Sequence, residues 1–374
     1  MKTVRDFLRK HALLILSAFV VLSVPAGVTF GKYVQSVTVT DTLNLNVSMK
    51  TYTLSEAVWQ KLYQSGNTFP AGVNLVLDYS APAGTKQLKN GNTDIDLSDK
   101  TADKTTGPIY ACYDSASNTI YVVPETPGRM VAANCKMMFS AYWDSSYRNI
   151  LKSIVINNLD TSQVQSMEEM FSYNHGLESV ILGADSGFST SNVTTMKKMF
   201  AWCNAVTALD LTSFRTSRVT DMTYMFWSCK KLTNIAGLRQ FDTSQVTTMP
   251  CMFCDCSSMT SLDLSTFNTS HVTDMSGMFA IMKSLQTITV SDIFDVSNVT
   301  NSTNMFLDCS RLKGGAGTAY DGNYTDKTYA HIDGGTSAPG YFTAAHGTST
   351  RSTFSATGTD AQANGFGLAL DAAS

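Results

Sequence analysis

The chain is poor in charge. Among 374 residues there are 27 Lys+Arg and 30 Asp+Glu, a net charge of -3. No basic stripe stands out, which argues against a nucleic-acid partner, because phosphate binding rests on clustered cations. Histidine is also scarce, and His11, His175, His271, His331 and His346 are scattered. The sequence holds no H-E-x-x-H, no G-x-S-x-G and no P-loop. The usual signatures of a zinc hydrolase, a serine nucleophile or a nucleotide site are therefore missing. The expectation is a non-catalytic protein with no cofactor and no metal. A hydrolase whose carboxylate pair assembles only in three dimensions is the remote alternative.

What is present begins with an export signal. Lys2, Arg5, Arg9 and Lys10 form a positive head, and Ala12 to Val24 is an uncharged apolar run. Val24-Pro25-Ala26, or else Thr29-Phe30-Gly31, offers small residues for cleavage. A retained anchor is the other reading, since the uncharged run reaches Gly31. Either way residues 1–31 direct the rest to the extracellular side or the cell surface, and only an uncleaved segment would touch membrane. Phe30-Gly31-Lys32-Tyr33-Val34-Gln35-Ser36 also resembles the leaders of exported biofilm-fibre proteins in Firmicutes.

The dominant signal is a repeat. Six stretches share Thr-Ser-x-Val-x-x-Met-x-x-Met-Phe-x-x-Cys-x-x-Leu-x-x-Leu-x-Leu, starting at Thr161, Thr190, Thr216, Thr243, Thr269 and Val296. Their Phe residues are Phe171, Phe200, Phe226, Phe253, Phe279 and Phe306, with spacings of 29, 26, 27, 26 and 27. A degenerate earlier copy reads around Met138-Phe139 and Ile154-Val155-Ile156. Leu262-Asp263-Leu264 alternates as a half-buried strand does. Met249, Met252, Phe253 and Cys256 have the spacing of a short helix's inward face, with Thr243 and Ser244 ahead as a cap or turn. Val246 to Met249 reads equally as a second strand or the first helical turn. One such unit cannot bury its own apolar face, so stacking is required: each anchor packs on its copy and the strands pair in parallel.

This pattern fixes the expected fold class: a repeat solenoid, leucine-rich-repeat-like, with a parallel β face, short helices or turns, and a β-rich N-terminal cap. The expected organisation is a leader (1–31), a short exported segment (32–67), the cap with the start of the degenerate coil (68–140), the repeats (141–313), a C-terminal cap (314–343) and a flexible tail (344–374). Ser55 to Gln64 reads as one helix. After Leu312 the run Gly314-Gly315-Ala316-Gly317 breaks the pattern, and no strand follows where the next is due. The tail carries no sorting motif, second apolar span or wall-binding module.

The repeat resembles the BspA-like leucine-rich-repeat surface proteins, also described as DUF285 or the Mycoplasma-type surface repeat. The residues that carry the likeness are Thr243-Ser244-Gln245-Val246, Met249, Met252-Phe253, Cys256 and Leu262 to Phe267, with their copies. The ending Tyr329-Ala330-His331-Ile332-Asp333-Gly334-Gly335 with Pro339-Gly340-Tyr341-Phe342-Thr343 is similar to that family's terminus. The resemblance implies a surface-exposed solenoid used in adhesion or host contact. The expected partner is a host or matrix protein or a glycan. A self-associating structural component of an extracellular matrix or biofilm is the alternative.

Three groups invite a chemical reading. Cys251-x-x-Cys254-x-Cys256 lacks the second cysteine pair of a zinc site, and Cys256 shares a ladder position with Cys203, Cys229 and Cys309. Stacked side chains point the same way, too far apart to bridge, so these four are expected as free thiols. Cys112 with Cys135 is the pair left open. Asp94-x-Asp96-x-x-Asp99 lacks the Gly and Glu of a calcium loop and reads as a solvated turn. The last group is aromatic. Tyr142, Trp143, Tyr173, Trp202, Tyr224 and Trp227 cluster in the early copies, where later copies hold Ser, Asp, Ile or Gly. Tyr173, Trp202, Tyr224 and Trp227 are the candidate ligand-binding residues, against the alternative of packing under a loop or the cap. Tyr173 and Trp202 both lie two residues after the ladder Phe and are expected side by side.

Overall fold

Two residues before and two residues after the recurring Phe, the backbone turns left-handed. Around Phe253 these are Cys251 (φ 53°) and Asp255 (φ 59°), and around Phe279 they are Gly277 (φ 61°) and Ile281 (φ 62°). A left-handed residue cannot continue an α-helix, so the expected short helix does not form. A run of turns takes its place. Its amides alternate: Cys254 and Cys256 donate back three residues, whereas Cys251, Phe253 and Asp255 donate forward to Ser276, Met278 and Ala280 of the next copy. The same exchange recurs around Phe171, Phe200, Phe226 and Phe279. Among the described residues the one α-helix is Val58–Gln64.

These features come from a computed structural model. It describes residues 51–345 apart from 56–57, 91–92, 99–106, 127 and 185, and two short antiparallel strands, Ser36–Val39 and Leu45–Ser48. The expected leader, most of the tail and Asp99 lie outside these residues. Among those described, no helix is long and apolar enough to cross a membrane.

The chain is β-rich with parallel strand sheets. Ser179–Leu182 pairs in parallel with Leu151–Ile156, Ala208–Asp210 with Asn234–Ala236, and Ser261–Asp263 with Thr287–Val290. The pairs are not one continuous ladder but fall into separate sheets. After Ala236, Gly237 (φ 87°) leads into the 3-10 turn Leu238–Gln240, where the next strand pairing is interrupted. A second ladder runs through isolated parallel bridges from Ser166 to Thr195, Asp221, Thr248, Asp274 and Asn301. The segment from Val246 to Met249 is thus strand-like.

Between the ladders the anchors stack. Phe139, Phe171, Phe200, Phe226, Phe253, Phe279 and Phe306 are all buried. Consecutive rings lie 5.2–6.3 Å apart and nearly parallel. Thr161, Thr190, Thr216, Thr243 and Thr269 do not cap helices. Each hydroxyl donates to a carbonyl of the next copy at 2.7–3.0 Å.

Both ends are closed by other strands. Val73–Leu77 pairs in parallel with Leu151–Ile156 and with Thr119–Pro124, so the N-terminal β region runs directly into the first repeat strands. Tyr52, Val58, Trp59 and Leu62, from the segment read as 32–67, are fully buried in the same core. At the other end a strand does appear where the next was due. Phe342–Ala344 pairs in parallel with Thr287–Val290, because Gly314 to Gly340 loops back and delivers it. Phe306 N–H, having no next copy, donates to Thr325 instead.

Candidate functional site

The left-handed position two residues after the Phe holds Tyr173 (φ 61°) and Trp202 (φ 64°) in adjacent copies, and the one two residues before holds Tyr224 (φ 58°). This conformation costs a bulky residue about 1–2 kcal/mol. Later copies fill these slots with Ser228, Asp255, Asp308, Gly277 and Asn304, mostly types that tolerate it. Ile281 is also left-handed, so strain alone does not mark a site. Continuity does.

Six rings form an unbroken row across four copies. Trp143 meets Tyr142 at 5.6 Å and Tyr142 meets Tyr173 at 5.1 Å. Tyr173 stacks on Trp202 at 6.3 Å with the planes 9° apart, side by side as the spacing implies. Trp202 meets Trp227 edge-on at 5.2 Å, and Trp227 meets Tyr224 at 4.9 Å. Tyr142 and Trp143 are 46% and 53% exposed, and the other four are half-buried. The rings therefore rest on the scaffold without being sealed inside it. Burial pushes the Tyr173 and Tyr224 hydroxyls up from their ordinary pKa, so both stay neutral donors.

Polar groups line the row that the motif reading did not single out. The Arg148 guanidinium sits over the Tyr173 ring at 5.3 Å, an arrangement that attracts a cation to the ring face. His175 lies 5.8 Å from the Trp202 ring. Burial, with Arg148 and Lys230 nearby, holds its pKa down, so the ring is neutral at physiological pH. Lys198 donates to Glu169 at 3.0 Å. Arg148 Nε, His175 Nε2, Trp202 Nε1, Asn174 Oδ1 and Asn204 Oδ1 are shielded from water and make no hydrogen bond within the chain. Of these, Arg148 and His175 contact the rings directly, whereas Asn174 is fully buried with its amide nitrogen on the Phe139 and Phe171 carbonyls. In sequence, Arg148 lies in an irregular insertion, and His175 and Asn204 occupy a slot four after the Phe with no fixed residue type. Nothing but proximity in space marks them.

The other candidates have structural roles. Asp210 and Asp263 on the strand face accept from Thr212 N–H and Ser265 N–H and close the following turn. All eight cysteines are free, Cys112 and Cys135 included. Cys203, Cys229, Cys256 and Cys309 are buried, and each thiol donates to the carbonyl of the preceding copy's Phe at 2.9–3.2 Å. Asp94 pairs with Lys89 at 3.5 Å, and Asp96 accepts from Ser98 and Ile109 N–H. No group of three or more metal-ligating side chains occurs among the described residues.

A family model described as "Mycoplasma protein of unknown function, DUF285" matches residues 133–237 and 233–328, more than half of the 374 residues. No curated protein and no solved structure matches the chain.

Proposed function

The chain belongs to the DUF285 family, and from that premise we propose that it is an exported, surface-displayed repeat protein that binds a glycan or a protein and catalyses nothing. Its body is read as a leucine-rich-repeat-like solenoid from 141 to 313, closed by an N-terminal cap and by the segment 314–343. The single observation that carries the binding function is the continuous row of rings from Trp143 to Tyr224. Flat rings offer area at little entropic cost and stack on sugar faces or apolar side chains.

The test is an array of glycans and matrix proteins probed with the chain freed of residues 1–31. Saturable binding to a restricted ligand class is the expected result. Concentration-dependent self-association with no ligand would favour the matrix-component reading. Turnover in a polysaccharide or peptide screen would favour a hydrolase.

A further inference from the structure

Two cysteines stand outside the ladder. Cys251 and Cys254 occupy the slots two before and one after Phe253, positions filled in the preceding copy by Tyr224 and Trp227. Cys254 N–H donates to the Cys251 carbonyl at 3.2 Å, so the two are the first and fourth residues of one turn. A turn keeps those Cα atoms within about 7 Å, and a disulfide spans Cα atoms about 4.4–6.8 Å apart. Cys251 is half-exposed, whereas Cys254 is 7% exposed. The next copy makes room for the sulfur: a Cβ on Gly277 would lie 2.7 Å from Cys251 Sγ.

The two thiols are chemically unequal. The neighbouring Cys254 thiol, and to a lesser degree the Tyr224 hydroxyl, hold the Cys251 pKa below its ordinary value against the opposing effect of burial. The neighbouring Cys251 and burial push Cys254 up. Cys251, the more exposed of the two, is the sulfur an external disulfide reaches first, with Cys254 behind it as the partner. The ladder thiols are fully buried and bonded to carbonyls.

We propose that Cys251 and Cys254 are a redox site, a dithiol that closes reversibly into a disulfide within one turn by exchange with an external disulfide. The Cys251 thiolate attacks one sulfur of the external disulfide. A mixed disulfide forms, and the external S–S bond breaks to release one thiolate, which takes up the proton Cys251 lost. Cys254 then gives up its proton and attacks the Cys251 sulfur, expelling the second external thiol. Two protein thiols are oxidised and one external disulfide is reduced to two thiols.

The test is to equilibrate the full chain in mixtures of reduced and oxidised glutathione, quench with acid, alkylate and map peptides. The expected result is one reversible bridge, seen as loss of two hydrogens from the peptide carrying Cys251 and Cys254. The ladder thiols are alkylated only after denaturation. Cys254→Ser traps glutathione on Cys251, and Cys251→Ser loses both bridge and adduct. The proposal is overturned if both thiols of the wild-type chain stay reduced in the oxidising mixtures, or if the first bridge joins any other pair. Equal adduct formation in Cys251→Ser would overturn it too.

Discussion

At the scale of single residues, the ladder shows how one slot serves two demands. The slot three after the Phe faces the core and, at Asn174, Cys203, Cys229, Cys256 and Cys309, also donates to the preceding Phe carbonyl. Cys meets both in four copies. Asn174 meets the second at the same slot, donating to Phe139 at 2.8 Å, while Met282 is buried and lacks a donor. Cys256→Val is therefore expected to cost about 1 kcal/mol, the net worth of one hydrogen bond, in urea unfolding. Phe226→Ala, which empties the centre of the ring stack, is expected to cost about 3–5 kcal/mol. The column itself was legible in the sequence. Its donor role was not, because a buried thiol reads as a small apolar group; Asn174 in the same slot was the available signal.

At the scale of elements, a spacing of three and four misled because turns share it with helices. Periodicity records which side chains face inward and says nothing of where the amides go. The left-handed slots hold Trp, Tyr, Lys and Ile as well as Gly, so residue type did not reveal them. The C-terminal segment was legible as an ending but not as a strand donor, since the pairing of Phe342–Ala344 depends on a loop of nearly 30 residues folding back. Asp333 holds that loop. Burial alone would raise its pKa. Ala316 N–H, Thr318 N–H and hydroxyl, Gly335 N–H and Gly340 N–H all donate to it and hold it well below the usual carboxylate value. Gly314 is required there, because a Cβ would fall 2.1 Å from the Gly340 carbonyl. A depressed pKa stabilises the fold fully above the unfolded value, about 3.9, and that stabilisation fades as pH falls through it towards the folded value. Asp333→Asn is expected to cost about 3 kcal/mol at neutral pH through unmet buried donors. Melting curves should show its deficit shrinking as the pH is lowered below about 4; a deficit constant down to acid would contradict the role of the charge.

At the scale of the whole molecule, the register of Phe171 to Phe306 specified which copies touch, and so which outward residues become neighbours. That is why Tyr173 and Trp202 could be paired from sequence. Tyr142 and Trp143 extend the row through an insertion whose path no repeat fixes, and Arg148 arrives by the same route. Labour is divided along the stack: early copies present the rings, and later copies, with Asp255, Gly277 and Asp308 in the equivalent slots, lengthen the scaffold. The most direct test compares the wild-type chain with the double variant Trp202→Ala, Trp227→Ala on the ligand class selected by the array, with circular dichroism and melting followed in parallel. The account predicts loss of binding with spectrum and melting nearly unchanged. Undiminished binding would move the contact surface elsewhere, and a much earlier melt would return both rings to the core.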